Sequence, residues 1–354
     1  MSSPHLSPGY DCPVPWPPPE QIFLGHGEGG RLSRELLHRV VLTELAGAGP
    51  DPQRLADSAI VSVPGDAIAM TTDTFVVTPR FFPGGNIGSL AIYGTCNDLA
   101  VSGAIPVAMS LGLVIEEGFP LPELRLILAE IRQAAERCGV RIVTGDTKVV
   151  PRGMADGLFI NTSGLGRVRP GLDLGPHRVQ VGDAIIVSGP IAEHGLAVLA
   201  ARERLFEGRG LQSDAAPVQE LVALLLDHGV EVRFLRDPTR GGVAAVLHEL
   251  VAQQPWGVEI DGPAVPVSET VRAGCELLGI EPLFVACEGR IVVVVPESEA
   301  EVVVQRLQSH SGGRGARVIA RVTDSHPGRV QIRTAYGSIR PLVEPAGALL
   351  PRIC

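Results

Sequence analysis

The sequence predicts an α+β protein of two domains, and three observations lead there. The chain has 354 residues, enough for two domains of roughly 150 residues each. Strand-like and helix-like segments alternate without the regular βαβ repeat of a parallel sheet. A turn-rich stretch, Pro170-Gly171 through Pro176 to Gly182, interrupts the pattern near the middle.

The elements follow in chain order. A leader, 1–21, carries seven prolines, Pro17, Pro18 and Pro19 among them, and reads as extended or disordered. A first domain is expected over 22–170. It opens on His26-Gly27-Glu28-Gly29-Gly30, and then Leu32, Leu36, Leu37, Val40, Val41 and Leu45 form one helical face closed by Gly47. Ala59–Val63 and Ala67–Thr72 read as a strand pair turned by Pro64-Gly65. Ile87–Val101 suits a helix rich in small residues. Leu121–Cys138 is an amphipathic helix with Gly139 as its C′ residue. Arg141–Thr144 and Gly157–Gly164 read as strands. The second domain, 171–340, has strand signals at Ala184–Ser188, Val232–Leu235, Leu283–Ala286, Ile291–Val295, Ala316–Val322 and Val330–Thr334. Its helical signals fall at Leu196–Phe206, Pro217–His228, Gly241–Gln253 and Ser298–Ser309. Residues 341–354 lack a period and read as a mobile tail.

Composition excludes several functions. Net charge is −9 and aromatics are 4%, which argues against nucleic acid and against an anionic membrane as partner. No apolar run approaches the roughly 18 residues of a membrane span, and no secretory signal is visible. Six cysteines without a CxxC pair fit a reducing compartment, hence a cytoplasmic location. Of 30 basic side chains all are arginine except Lys148. The solitary lysine has two readings, genome base composition with chance survival, or a place where the planar guanidinium fork is chemically unacceptable.

Asp66, Asp73, Asp98, Asp146 and Asp237 each stand beside Gly, Thr, Asn or Pro next to an apolar run. Each alone has a structural reading, an Asx-turn or a helix N-cap. Five together, with glycine loops nearby, resemble a magnesium cage for phosphates, because Mg²⁺ takes hard oxygen ligands and shares its sphere with phosphate and water. No complete GxxxxGK[ST] loop is present, which disfavours an ordinary P-loop ATPase. The glycines of 26–30 before a helix suit an anion, although such turns are common. Cys287-Glu288-Gly289 lies between two apolar runs and reads as a hairpin turn or as a desolvated carboxylate with a raised pKa. Cys138 and Cys275 read as core fillers. Cys354 ends the chain, either by accident or as a carrier thiol on an arm; nine residues beyond Pro345 span about 30 Å when extended.

The segments HGEGG (26–30), TTDTFVVTPRFFPGGNIG (71–88), GTCNDLAVSGAIP (94–106), EEGFPL (116–121), TGDTKVV (144–150), DGLFINTSG (156–164), VSGPIAEHG (187–195), RDPTRGG (236–242), CELLG (275–279) and PRIC (351–354) occur in this order. Together they resemble the hydrogenase maturation HypE family of the PurM-like ATP-binding superfamily. The acidic motifs are shared across that superfamily, and the terminal PRIC singles out HypE. The resemblance implies an N-terminal α+β domain that pairs strands across a homodimer, and a C-terminal α+β domain. It also implies a reaction. A HypF carbamoyltransferase loads the terminal thiol, ATP drives dehydration of the thiocarboxamide to a thiocyanate, and the cyano group passes to iron in a HypC–HypD complex for nickel–iron hydrogenase.

By that resemblance Asp66, Asp73, Asp98 and Asp237 bind magnesium and phosphates. Asn97, Asp146, Thr147, Arg240, His26, Gly27, Gly29 and Gly30 complete the nucleotide site. Lys148 steadies the transferring phosphoryl group or the amide oxygen, Glu288 is the base, and Cys354 is the carrier. Three residues depart from the family pattern: Cys287 stands where Asn is usual, Arg290 where Lys is common, and Glu28 where a small residue is usual. Cys287 would alter cargo orientation or permit a disulfide with Cys354. Two other readings stay open, a PurM-like ligase or kinase for a diffusible substrate, and a non-catalytic ATP-binding scaffold.

Overall fold

The computed structural model describes residues 31, 34, 35, 38, 39, 58–63, 66–205, 210–344, 350 and 352–354, apart from the side chains of 61–63 and 66. The 26–30 loop and the Pro-rich leader lie outside the described residues. Of the helix expected after that loop, Arg31, Arg34, Glu35, His38 and Arg39 are described, the first three α-helical and the last two in a π-helical turn.

The first domain is a five-stranded sheet with helices on one face. β1 (Ala59–Val63) and β2 (Asp66–Phe75) pair antiparallel with Val63 opposite Asp66. A two-residue hairpin, β3 (Phe81–Phe82) and β4 (Gly85–Asn86), leads into α1 (Ile87–Val101). β5 (Ala104–Glu116), α2 (Leu121–Cys138), β6 (Arg141–Val150) and β7 (Leu158–Val168) follow. The sheet order is β1-β2-β7-β5-β6, antiparallel except for the β5–β6 pair. That pair is parallel because α2 carries the chain back across the sheet.

Local chemistry fixes the two helices. Asn86 caps α1: its side-chain oxygen accepts from Gly88 N and Ser89 N, and Ser89 Oγ accepts from Asn86 N. α2 ends where Gly139 takes a φ of +63°. α1 has no polar stripe and every residue but Asp98 is buried, as expected of a helix covered on all sides. One side packs with Phe75 and Ile160 of the sheet, and its end, Ala100 and Val101, joins the core of the second domain.

The second domain is a seven-stranded mixed sheet. It comprises β8 (Ala184–Val187), α3 (Glu193–Glu203), α4 (Gln219–Leu226), β9 (Phe234–Arg236), α5 (Gly242–Val251), β10 (Gly257–Asp261) and α6 (Glu269–Leu278). β11 (Val292–Val295), α7 (Glu297–Ser309), β12 (Arg317–Thr323), β13 (Val330–Arg333) and β14 (Ile339–Pro341) complete it, in the order β14-β13-β10-β12-β8-β11-β9. β8 and β11 are unbroken apolar runs buried on both faces. Ile185 and Val294 face the core shared with the first domain, whereas Ile186 and Val293 face α4 and α7. Among the described residues no helix is long and apolar enough to cross a membrane.

Two expectations are corrected. Leu283–Ala286 is not a strand: Pro282–Phe284 forms a 3-10 turn, and Leu283, Val285, Ala286 and Cys287 are buried in a loop. A short apolar run signals burial and does not by itself specify a strand. Glu288 consequently lies in that loop and not in a hairpin. The strand expected at Arg141–Thr144 runs on to Val150, so Asp146, Thr147 and Lys148 stand on a strand. Of the tail, Leu342, Leu350 and Ile353 are buried.

Candidate active site

Asp73 and Asp98 meet across the seam between β2 and α1. Odd-numbered positions of β2 face α1, with Ala69, Thr71 and Phe75 buried. Thr71 donates to Asp98 Oδ2 at 2.7 Å and Thr95 donates to Asp73 Oδ2 at 3.3 Å. Each carboxylate is therefore aimed by a threonine from the opposite element. Asp66 stands seven positions before Asp73 in the same strand, about 23 Å along it at the usual rise. No metal-holding group of three acidic, His or Cys side chains exists among the described residues.

The second acidic centre is Glu288, 2% exposed. Its Oε1 accepts no hydrogen bond. Burial first, then the charges of Asp237, Asp214 and Asp73, push its carboxyl well above the ordinary range, and Arg240 opposes them. Asp73 and Asp237 thus act on the same carboxyl from β2 and from the turn after β9. Glycines make the close approach possible. A Cβ on Gly289 would lie 2.0 Å from Asp214 O, and one on Gly242, at φ +62°, would lie 2.6 Å from Leu283 O and Val285 O.

Asn97 has a different role from the one expected. It is buried and its amide is engaged with backbone of the second domain. Nδ2 donates to Ala216 O at 3.0 Å and to Glu288 O at 3.1 Å, while Oδ1 accepts from Val218 N at 2.9 Å. It fixes the Glu288 loop against α1 and has no exposed amide for a nucleotide. Arg290 supports the same loop with its fork, reaching Pro190 O, Gly312 O and Glu193 Oε2. A lysine ammonium could not span those three directions in one plane. Cys287 is buried, accepts from Ala192 N at 3.3 Å, and burial holds its thiol well above the ordinary value. Neither Cys287 nor Cys354 is in a disulfide.

The chain end runs beside this loop. Val76 N donates to Cys354 O at 3.1 Å and Thr78 N to Arg352 O at 3.2 Å. Arg202 bridges Thr78 O and Arg352 O. Arg352 returns a bond to Val76 O and pairs with Asp156 at 2.7 Å. His194 Nε2 lies 2.7 Å from Ile353 O. Cys354 is thus held three residues beyond Asp73 in β2, on the side of the molecule that carries Glu288.

Asp146, Thr147 and Lys148 stand apart. β6 is an edge strand exposed along nearly its whole length. Lys148 pairs with Asp146 at 2.8 Å, and Thr147 N also donates to that carboxylate, which lowers its pKa. Arg240 is exposed, and its charge reaches Glu288. His26, Gly27, Glu28, Gly29 and Gly30 are outside the described residues.

His194, Arg202 and Asp214 lie at this site, and motif reading assigned them no role. Asp214 sits in an irregular loop and accepts from His194 N and Glu288 N. Nothing local in its sequence separates it from a solvated loop aspartate.

Residues 55–168 match the family model for the AIR synthase related protein, N-terminal domain, and 180–333 that for its C-terminal domain. The chain is 42% identical over 335 residues to the carbamoyl dehydratase HypE of Rhodobacter capsulatus, covering 95% of this chain and 98% of that one. A crystal structure of a HypE–HypF complex superposes with TM-score 0.82 at 41% identity, covering 88% of this chain and 99% of the other. A HypE crystal structure in complex with ATP superposes with TM-score 0.78 at 39% identity, covering 94% and 100%. With both domains matched and nearly the whole length shared, the chain belongs to the HypE family of carbamoyl dehydratases.

Proposed function

We propose that this protein dehydrates a thiocarboxamide carried on Cys354 to a thiocyanate, consuming ATP, and so supplies the cyano ligand for the iron of nickel–iron hydrogenase. The observation that carries the reading is the docked end: Cys354 O bonds Val76 N beside Asp73, and the preceding carbonyl bonds His194 beside the Glu288 loop. A carrier thiol needs that route between its load and the acidic pocket.

The chemistry balances. The thiocarboxamide loses its oxygen and two N–H protons, and ATP becomes ADP and phosphate, with the amide oxygen in the phosphate. Oxide is a poor leaving group, and phosphoryl transfer turns it into a good one. Glu288 takes a proton from the amide nitrogen. Its buried, acid-flanked carboxylate has a raised proton affinity, which makes it a stronger base once ionised. Lys148 neutralises charge at the oxygen. Asp66, Asp73, Asp98 and Asp237 are the proposed holders of a magnesium ion that travels with the nucleotide, since such an ion takes most of its ligands from phosphate and water. Asp146, Thr147, Arg240 and the 26–30 loop complete the phosphate surroundings in this reading.

The HypE relative solved with HypF supports a HypF carbamoyltransferase as loading partner, and a HypC–HypD complex is the proposed acceptor. The exposed side of the first sheet supports a homodimer. Met70 and Leu165, directly paired across β2 and β7, are 49% and 42% exposed, and Val107 and Val149 are more so. Apolar strand faces of this kind mark interaction surfaces.

Labelling the carbamoyl oxygen with a heavy isotope tests the mechanism. The label is expected in inorganic phosphate. Its appearance in water, with ATP consumed, would contradict phosphorylation of that oxygen.

A further inference from the structure

His194, in the first turn of α3, is wholly buried. Its ring stands edge-on to Phe82, with centroids 5.4 Å apart and planes at 89°. Nε2 is 2.7 Å from Ile353 O and Nδ1 is 2.7 Å from Ser213 Oγ. A carbonyl can only accept, so Nε2 carries the hydrogen. Burial favours the neutral ring, so Nδ1 offers a lone pair and the Ser213 hydroxyl donates to it. The docked tail thereby dictates the tautomer.

The contacts continue inward. Ser213 N donates to Pro83 O in the first domain, and the neighbouring Asp214 Oδ1 accepts from both His194 N at 3.1 Å and Glu288 N at 3.2 Å. One short path of hydrogen bonds therefore joins the penultimate carbonyl of the chain to the backbone of the proposed base. Val76 N, Thr78 N, His194 Nε2 and Arg202 each hold a main-chain carbonyl of residues 352–354, and the Arg352 side chain adds bonds to Val76 O and Asp156.

We propose that His194 is a positioning residue that latches the tail by its penultimate carbonyl and, through Asp214, seats the Glu288 loop whenever the tail is home. The proposal rests on the reading of Cys354 as carrier. When the tail leaves, the Nε2–H loses this acceptor, which biases the equilibrium towards docking.

The test is the rate at which iodoacetamide alkylates Cys354 in the full-length chain, read on the C-terminal peptide by mass spectrometry. His194→Leu is expected to speed alkylation by about tenfold or more through loss of the buried bond. His194→Gln, which keeps an N–H at the distal position, is expected to restore most of the protection. Turnover in His194→Leu should fall through kcat with the KM for ATP unchanged. Equal alkylation rates in all three proteins would overturn the latch. Should the Leu variant fail to fold, a proton–nitrogen NMR correlation of the unaltered protein decides. The Nε2–H tautomer with a slowly exchanging proton supports the latch, and an Nδ1–H tautomer refutes it. Failure of the carrier reading is separate: it appears as unaltered protein that never converts a carbamoylated tail with ATP.

Discussion

The Glu288 pocket and the Asp146–Lys148 edge look alike as motifs, each a short acidic segment beside apolar strands, yet the fold treats them oppositely. Glu288 is sealed by the second domain, held by Asn97, Asp214 and Arg290 contacts, and perturbed by three carboxylates. Asp146 and Lys148 pair with each other on an open edge strand, with side chains about 70% exposed. The first region is finished within one chain. The second acquires its chemistry when something covers it, a nucleotide or a second copy, because an exposed ion pair is screened and contributes little. Stability and activity should therefore separate cleanly between the two regions.

The largest expected effect is from Cys354→Ala. No carbamoyl adduct should form at the chain end, while nucleotide binding by calorimetry stays at the parental level; loss of nucleotide binding would make the tail structural. Next is Glu288→Gln, which should load normally and then convert roughly 10²-fold or more slowly, the range of a removed general base. Asn97→Ala sharpens the comparison from the stability side. It strips partners from Ala216 O, Glu288 O and Val218 N, and denaturant unfolding should show a loss of about 3 kcal/mol. Lys148→Ala should do the reverse, changing unfolding by less than about 1 kcal/mol while turnover collapses. If Lys148→Arg turns over at the parental rate, the solitary lysine has no chemical role.

A subtler effect concerns pH. Glu288 titrates near 4.5 in the unfolded chain and well above that when folded. Between those values the native state holds a proton that the unfolded state releases, so stability falls as pH rises through the window and stays reduced above it. Glu288→Gln has no such proton. Its melting temperature should exceed the parent's at about pH 8 and converge with it at about pH 4. A constant difference would mean that the carboxyl is not perturbed by folding.

Much of the first domain was legible because its periodicities are strong. Ile87–Val101 and Leu121–Cys138 coincide with α1 and α2, the first as a helix of small and apolar residues, the second as an amphipathic stripe ended by a glycine. β5, at 13 residues, escaped notice because its glycine and serine dilute the alternation. The loop at 283–291 was misread because apolarity reported burial, and the geometry was set by Pro282 and by packing against Gly242. Residue types at the site were legible, but their grouping was not. That Asn97 is consumed in joining the domains follows from tertiary contact. Asp214 and His194 acquire their roles only when three distant segments meet.

The most direct measurement is mass spectrometry of the terminal peptide after incubation with HypF, carbamoyl phosphate and ATP. The account requires an adduct of roughly 43 Da on Cys354 that then loses about 18 Da, with the loss absent when ATP is withheld. An adduct that persists unchanged with ATP present, or a loss of water that proceeds without it, would contradict the account.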